Sequence, residues 1–332
     1  MRSAAEAAQV VAAVTTRRLL KGPRRPSWNW WVEVATELLS RQLGAAFGMD
    51  DPRKARRYLD SMVVRSRALD EVTITQVAEE SFNASWFISN GAPPRVTVLY
   101  LHGGGYSFYP KSYANFIALF TLAAKSRTLA LDYRLSPEHR FPSQLEDALN
   151  AYRWLLDSGV NANDLVVAGD SAGGNMTLAL LLRARELNLP LPALAVALSP
   201  PTNFTIRTAS GGCDWINPTM LVRWADWFCD PVDRCNPLVS PVLADLRGLP
   251  PIYIQAGRCE FLYDSIQAFA DIAKNKGADV TLDVWDNMNH DFQMFGPDAP
   301  QSTEALRRIG EVIGRRVYSQ KVFPQPVPQE LP

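Results

Sequence analysis

The sequence predicts an α/β fold with a mostly parallel sheet, helices on both faces of the sheet and a helical cap. Two observations indicate this. From residue 96 onward, short apolar segments typical of buried strands alternate with longer segments that carry leucines and alanines at helical spacing. Two further pieces, residues 1–70 and 201–250, stand outside this alternation, and such additions can cover the sheet edge at which open α/β sheets bind ligands.

Length and composition limit the class of protein. The 332 residues can bury a large core, and 34 basic residues balance 34 acidic ones, so no overall charge favours nucleic acid. No segment reaches the roughly 18 apolar residues of a membrane span. The four cysteines lack the spacing of a zinc site, so we expect free thiols, a cytoplasmic location and no metal. They are Cys213, Cys229, Cys235 and Cys259.

Residues 1–70 predict an N-terminal cap segment of three helices. These are expected over Ala4–Leu20, over Trp28–Leu43 and from Pro52 to about Ser66. Residues 17–31 mix basic and indole side chains, a combination that can seat a helix on an anionic membrane surface. The alternative, which we favour, is that the tryptophans of this segment simply pack the second helix onto the body of the protein.

Residues 71–200 are the predicted first part of the core. They begin with two strands, Val72–Val77 and Phe82–Ile88, after which strands and helices alternate. The alternation runs through strand Val96–Leu101, helix Ser112–Lys125, strand Arg127–Leu131, helix Gln144–Leu156, strand Leu165–Ala168, helix Ala172–Leu187 and strand Ala193–Leu198. This order is typical of a parallel sheet with helices on both faces.

The alternation is interrupted once. Residues 201–250 are rich in proline and aromatic residues and show no clear strand, so they are predicted to be a cap insertion. The second part of the core, residues 251–320, resumes with strand Ile252–Gln255, helix Asp264–Lys276, strand Val280–Trp285 and helix Ser302–Val317. The proline-rich tail, residues 321–332, is predicted to be flexible.

One motif places a candidate nucleophile at a strand-to-helix turn. Residues 169–173 read G-D-S-A-G, a match to G-x-S-x-G, in which the serine occupies a strained turn after a buried strand. Small neighbours are needed there because the adjoining backbones pass close by. So short a match also occurs by chance, and Ser171 therefore needs partners before it indicates catalysis.

The base is selected by the order of residues along the chain. A serine hydroxyl needs a group that accepts its proton, and histidine suits because its pKa lies near the working pH. The chain has three histidines, His102, His139 and His290. In sheet enzymes whose serine sits on such a turn, the histidine follows the serine, and only His290 does so. We predict that His290 is the base, the alternative being a surface-loop histidine.

A run of glycines predicts an oxyanion hole. His102 and three glycines follow a predicted buried strand. Attack on an ester carbonyl creates an oxyanion that backbone N–H groups must meet, and glycine lets the backbone approach without a Cβ in the way. The N–H groups of Gly103, Gly104 and Ala172 are predicted to form this hole. Taken alone, the run would more often be an ordinary turn.

Four motifs carry a resemblance to a known family. In order, H-G-G-G-Y, D-Y-R-L-S-P-E-H-R-F-P, G-D-S-A-G-G-N and M-N-H-D-F resemble those of the hormone-sensitive-lipase family of α/β-hydrolase esterases, over about residues 96–317. The resemblance implies an α/β-hydrolase fold, a cap and ester hydrolysis. It also implies that His102 and His139 shape the site. Family members often pair through the last strand and helix, so a homodimer is an open alternative.

The acid of the triad is marked less clearly. Many family members carry it in D-P-L-R-D after the penultimate strand, whereas this chain reads A-G-R-C-E-F-L-Y-D and matches only with one residue inserted. Glu260 falls inside this loop. Asp264 is the alternative, although it more naturally caps the next helix. Asp286 and Asp291 flank His290 too closely in the chain to approach its ring easily from the far side.

These residues together predict a carboxylesterase that acts on short or medium acyl esters through an acyl-enzyme. Ser171 attacks, His290 transfers the proton and Glu260 orients His290, with no organic cofactor or metal. The same triad could cleave an amide, a formamide or a lactone. A non-catalytic small-molecule receptor of this fold is the remaining alternative, and the presence of His290 counts against it because the receptor of this family lacks the base.

Aromatic residues near the motifs predict an apolar pocket for the acyl or alcohol group. Trp224, Trp227 and Phe228 have the spacing of one helix face within the cap insertion. That face either lines the pocket or only attaches the cap to the body. The predicted pocket residues are Tyr106, Phe108, Trp215, Trp224, Phe292 and Met294.

Overall fold

The computed structural model describes residues 2–62, 65–91, 96–206 and 214–322. Within these ranges the strands are β1 (Val72–Ala78), β2 (Asn83–Ser89), β3 (Val96–Leu101), β4 (Ser126–Asp132), β5 (Leu165–Asp170), β6 (Leu194–Leu198), β7 (Ile252–Gly257) and β8 (Val280–Trp285). The helices are α1 (Arg2–Lys21), α2 (Trp30–Phe47), α3 (Pro52–Asp60), α4 (Tyr113–Ala124), α5 (Ser143–Asp157), α6 (Ala172–Glu186), α7 (Pro218–Phe228), α8 (Tyr263–Asn275) and α9 (Pro300–Val322).

These strands form one sheet in the order β1-β2-β4-β3-β5-β6-β7-β8. β2 pairs antiparallel with β1 and with β4, and every neighbouring pair from β4 to β8 is parallel. Every residue of β3, β5, β6 and β7 is buried, as expected for parallel strands covered on both faces. The predicted α/β fold with a mostly parallel sheet is confirmed.

Helices cover both faces of the sheet because successive strand residues point to opposite sides. Leu99 and Val167 belong to a buried cluster that includes residues of α5 and α6. Val98 and Val166 belong to a second cluster, which includes residues of α4 and α9. The parallel strands therefore end together at one edge of a sheet that is sealed on both faces, and this edge carries the site.

The N-terminal helices form as predicted, except that α3 is shorter. The expected helix reached about Ser66, but α3 ends at Asp60. The hydroxyl of Ser66 instead accepts a hydrogen bond from the N–H of Ala68 and caps the 3₁₀ turn Arg67–Glu71. At the end of α3 itself, the hydroxyl of Ser61 donates to the carbonyl of Tyr58 at 2.7 Å, and serine competes in this way with helical backbone hydrogen bonding.

The cap insertion contains the helix that its aromatic spacing predicted. In the part of 201–250 that the structure describes, α7 and short 3₁₀ turns form, and no strand does. Trp215 and Trp224 share a buried cluster with Trp28 and Phe47 of the N-terminal segment. The N-terminal helices and the insertion therefore pack against each other.

The last helix extends further than predicted. α9 continues to Val322, so the predicted flexible tail begins inside a helix, and its remaining residues, 323–332, lie outside the described part of the chain. Cys213 lies outside it as well, and Cys229 and Cys235 are free thiols. None of the helices described is both long and apolar enough to cross a lipid bilayer.

Candidate active site

Ser171 sits in the strained turn between β5 and α6. Its φ of 49° and ψ of −119° are unusual for a residue other than glycine. The Ser171 N–H donates a hydrogen bond to the Leu198 carbonyl oxygen of β6 at 2.8 Å. The turn thus presents the serine hydroxyl at the edge where the parallel strands end.

Close backbone contacts explain two of the glycines in the motifs. A Cβ on Gly173 would collide with the carbonyl oxygen of Leu101 in β3, because α6 begins directly against this strand. Gly104 has a φ of +91°, and a Cβ there would collide with the carbonyl oxygen of Phe108. Glycine is therefore required at both positions by the approach of neighbouring backbone.

The structure brings together the three residues predicted for the triad. Nε2 of His290 lies 2.9 Å from Oγ of Ser171, and Nδ1 of His290 lies 3.0 Å from Oε2 of Glu260. Glu260 follows β7 and His290 follows β8, and both side chains are fully buried. This is the arrangement in which a histidine accepts the serine proton while a carboxylate holds the ring.

Burial and charge act in opposite directions on this pair. Burial raises the pKa of Glu260 to about 7, although its hydrogen bond to His290 works against the rise. Burial also works to lower the pKa of His290, but the carboxylates of Asp291 and Glu260 outweigh it and hold that pKa well above its usual value. The two carboxylates therefore stabilise the charged form of the ring relative to the neutral form.

Asp264 does not cap α8, contrary to the expectation. The helix begins at Tyr263, its N-cap is Leu262, and Asp264 lies inside the first turn. The backbone turns tightly just before, because the N–H of Tyr263 donates to the carbonyl of Glu260 at 3.2 Å. The Asp264 side chain lines a cleft between α7 and α8.

Asp291 contacts the His290 ring on the side that faces Ser171 and not on the far side, where Glu260 lies. Its Oδ2 lies 3.2 Å from Nε2 of His290, the nitrogen that faces Ser171. A φ of 47° at Asp291 turns the chain back on itself and makes this contact between sequence neighbours feasible. Asp286, in contrast, forms an ion pair with Arg258 at 2.6 Å.

Two of the three predicted oxyanion donors, Gly103 and Ala172, lie next to the turn at Ser171. A Cβ on Gly103 would collide with the carboxylate of Asp170, so the Gly103 backbone passes directly against the residue that precedes Ser171. That carboxylate is held by the hydroxyl of Tyr113 at 2.7 Å. Ala172 is the first residue of α6, where N–H groups have no partner within the helix and the helix dipole favours negative charge.

The other two histidines differ in their surroundings, since His102 is buried and His139 is exposed. The buried His102 ring is stacked between Tyr109 and Tyr133, with ring centroids 3.7 and 4.0 Å away. Burial lowers the pKa of His102 to about 3, so the ring is neutral. The backbone N–H of His139 donates to the carbonyl of Leu135 at 3.0 Å.

The predicted pocket residues fall into two groups. Tyr106 stacks on Phe228 with ring centroids 3.7 Å apart, and its hydroxyl donates to Oδ1 of Asn175 at 2.5 Å. This contact attaches the end of α7 to the body. The other pocket residues belong to, or pack against, the cluster that joins the two cap pieces, and they are Phe108, Trp215, Trp224, Phe292 and Met294.

Sequence reasoning missed the residues that hold the His290 loop. The carboxylate of Asp214 accepts a hydrogen bond from the His290 N–H at 3.1 Å. Nδ2 of Asn289 donates to Oγ1 of Thr36 in α2 at 2.8 Å. No signal in the sequence marks these residues, because they stand in the N-terminal segment and the insertion, far along the chain from His290. Across the described ranges, no cluster of three or more metal-ligating side chains is found.

Comparisons with known proteins show that the chain is similar to α/β-hydrolases. A family model described as alpha/beta hydrolase fold matches residues 98–294. An acetyl-hydrolase of Streptomyces hygroscopicus is 37% identical over 223 residues, 65% of this chain and 75% of that protein. An ethyl acetate hydrolase of Pseudomonas putida is 31% identical over 228 residues, 65% of this chain and 72% of that protein.

Solved structures give the same result. The crystal structure of an esterase from the bacterial hormone-sensitive lipase (HSL) family matches with a TM-score of 0.79 and 33% identity. The match covers 87% of this chain and 99% of that one. Sequence motifs, sheet topology and relatives agree: the chain belongs to the hormone-sensitive-lipase family of α/β-hydrolases and is a carboxylesterase.

Proposed function

We propose that the chain hydrolyses short to medium acyl esters through an acyl-enzyme, with Ser171, His290 and Glu260 as the catalytic triad. The observation that carries the proposal is the continuous hydrogen-bonded line from Ser171 through His290 to Glu260, with distances of 2.9 and 3.0 Å. The names of two relatives, an acetyl-hydrolase and an ethyl acetate hydrolase, support a small acyl group.

In the first half of the reaction, Oγ of Ser171 attacks the ester carbonyl carbon while Nε2 of His290 accepts the hydroxyl proton. The Nδ1–H of His290 donates to Glu260, which stabilises the imidazolium. The N–H groups of Gly103, Gly104 and Ala172 receive the developing oxyanion. Collapse of the tetrahedral intermediate breaks the ester C–O bond, and the leaving alcohol takes the proton from His290.

The second half repeats these steps with water. His290 accepts a proton from the water as its oxygen attacks the acyl-enzyme carbonyl, and the same N–H groups meet the second oxyanion. The bond to Ser171 Oγ then breaks, the serine regains its proton from His290, and the carboxylic acid leaves. Every proton is returned, so the cycle needs no further reagent.

Replacement of the nucleophile and the base tests this proposal. Ser171→Ala and His290→Ala should each abolish hydrolysis of p-nitrophenyl butyrate while the circular dichroism spectrum is unchanged, because a triad acts as a unit. Ser85→Ala, on β2 away from the site, serves as the control. If His290→Ala retains more than about a hundredth of the activity, His290 is not the base, since general base catalysis alone contributes 10²–10⁴-fold.

The cap aromatics are proposed to set the length of the acyl or alcohol group. Trp224 supports this, because its indole packs directly on Gly105 beside the predicted oxyanion loop and is 7% exposed. Esters of graded chain length should show a changed preference in Trp224→Ala. Equal loss on every ester, together with a lower melting temperature, would instead indicate that Trp224 only attaches the cap. Lactones and anilides in the same series distinguish ester hydrolysis from the alternative reactions.

We propose a division of the chain into cap and core. Residues 1–70 and 201–250 form the cap, and residues 71–200 and 251–320 form the core. The division is supported by the apolar cluster that joins Trp28 and Phe47 to Trp215 and Trp224. This arrangement places the cap beside the loops that follow β7 and β8.

Contact with a membrane surface through residues 17–31 stays a prediction. Leu19 and Leu20 are 83% and 77% exposed, and Trp30 and Trp31 are 38% exposed each, which supports it, whereas Trp28 is buried. Sedimentation with anionic vesicles tests this contact, and failure to bind would overturn it.

A homodimer and a cytoplasmic location are predictions too. Size-exclusion chromatography would decide the first and cell fractionation the second.

A further inference from the structure

Asp214 makes an unusual set of contacts for an aspartate in an irregular segment. Its Oδ1 accepts hydrogen bonds from the N–H of Trp215 at 2.9 Å and from the N–H of His290 at 3.1 Å. Its Oδ2 accepts a third from the N–H of Phe261 at 2.9 Å. The residue is half-buried, and three backbone donors converge on one carboxylate.

These donors belong to the two loops that carry the proposed acid and base. Phe261 directly follows Glu260, and His290 is the proposed base itself. The residue next to Asp214 also contacts His290: Nε1 of Trp215 donates to the carbonyl oxygen of His290 at 2.6 Å. The cap insertion therefore binds both the N–H and the C=O of the His290 backbone.

We propose that Asp214 is a positioning residue that sets the separation of the Glu260 and His290 loops and so makes assembly of the triad depend on the cap. The inference rests on the proposed triad and adds to it a residue outside the core. A carboxylate can accept all three N–H groups at once. Its effect acts through Glu260 and His290, because a misplacement of 1 Å in reacting groups can lower the rate about 100-fold.

The contacts explain why aspartate is needed at this position. Asparagine has one acceptor oxygen, so its NH₂ group would face at least one of the three backbone N–H donors. Asp214→Asn therefore loses one or more hydrogen bonds at unchanged volume, whereas Asp214→Ala loses all three. A positioning role predicts a graded series, with the alanine variant affected more than the asparagine variant. A purely electrostatic role predicts equal effects, because both variants remove the same charge.

The experiment compares Asp214→Asn and Asp214→Ala with Asp226→Asn in the full-length protein. Asp226 lies in the same cap, on α7, and its carboxylate forms an ion pair with Arg234, so the control removes the same charge elsewhere. We expect kcat for p-nitrophenyl butyrate to fall about 10- to 100-fold in the alanine variant and less in the asparagine variant, with KM within about threefold. The low-field proton resonance of the His290 Nδ1–H should shift in both, and Asp226→Asn should change neither.

Several outcomes would overturn the inference. They are a folded Asp214→Asn with kcat within about twofold of the wild type, an effect confined to KM, equal effects of the two variants, and an Asp214→Asn variant that does not fold. Failure of the triad proposal is recognised separately, because Ser171→Ala and His290→Ala would then retain activity whatever the Asp214 variants do.

Discussion

The proposed nucleophile and the proposed base are held by different parts of the molecule. Ser171 lies between β5 and α6, and its N–H donates to Leu198 of β6, so backbone of the core determines its position. His290 follows β8, and its backbone is bonded on both sides by cap residues, Asp214 and Trp215.

The rest of the His290 loop is bonded by core and cap alike: the Cys259 N–H of the core donates to the Met288 carbonyl at 2.9 Å, and the cap adds two further hydrogen bonds. Nε1 of Trp28 donates to the carbonyl of Asn287 at 2.5 Å, and Asn289 donates to Thr36. A loop without regular secondary structure must find partners for its backbone and side-chain polar groups elsewhere. Core backbone bonds the turn at Ser171, whereas core and cap together bond the His290 loop, so we expect the position of His290 to depend in part on how the cap packs.

The largest loss of kcat is expected on replacement of the proposed acid, Glu260. This change perturbs His290 and leaves Ser171 in place. Glu260→Gln should keep the shape of the site but lower kcat by up to about 10⁴-fold, as loss of the orienting carboxylate does in other triads. The glutamine NH₂ can donate to Nδ1 of His290, which leaves the ring proton on the nitrogen that faces Ser171. Steady-state kinetics with p-nitrophenyl butyrate measures this.

Asp264→Asn is the matched control for the acid. We expect kcat within about twofold and a free energy of unfolding lowered by at most about 1 kcal/mol, since Asp264 lies in the first turn of α8 and interacts with the helix dipole. If Asp264→Asn loses activity and Glu260→Gln keeps it, Asp264 is the acid.

The smallest effect is expected where α2 supports the His290 loop. Thr36→Val removes the acceptor of the Asn289 side chain at unchanged volume, and it should lower the free energy of unfolding by about 1–2 kcal/mol because a buried donor is left without a partner. A loosened loop should also lower kcat by about 2- to 5-fold. Urea denaturation and steady-state kinetics measure the two quantities.

A surface pair of the same residue types provides the control. Oγ1 of Thr73 donates to Oδ1 of Asn90 at 2.7 Å in an exposed position, so Thr73→Val should change stability by less than about 0.5 kcal/mol. If Thr36→Val behaves like Thr73→Val in both measurements, α2 does not support the base, and the contrast between the two regions is confined to the insertion.

The buried strands, the turn at Ser171 and the candidate base could be predicted from the sequence. Continuous apolar segments mark β3, β5, β6 and β7 because strands covered on both faces have no polar side. Ser171 is marked because a strained turn between strand and helix needs small neighbours. His290 is marked by chain order alone, since no other histidine follows Ser171.

Predictions at element ends were less accurate, and each error has a local cause. α3 ends early at Ser61, whose hydroxyl donates to the carbonyl of Tyr58 at 2.7 Å, and α8 starts one residue early where the loop after β7 turns at Glu260. Each depends on the conformation of one or two residues, which periodicity does not report.

Burial patterns and backbone sterics within a few residues are enough to predict the layered α/β architecture, the turn at Ser171 and the candidate base. The contacts that hold His290 follow only from tertiary packing. Asp214 and Thr36 lie 76 and 253 residues from their partners in the His290 loop. Hydrogen bonds over such separations follow from how the cap packs on the core, and no local pattern of residues records them.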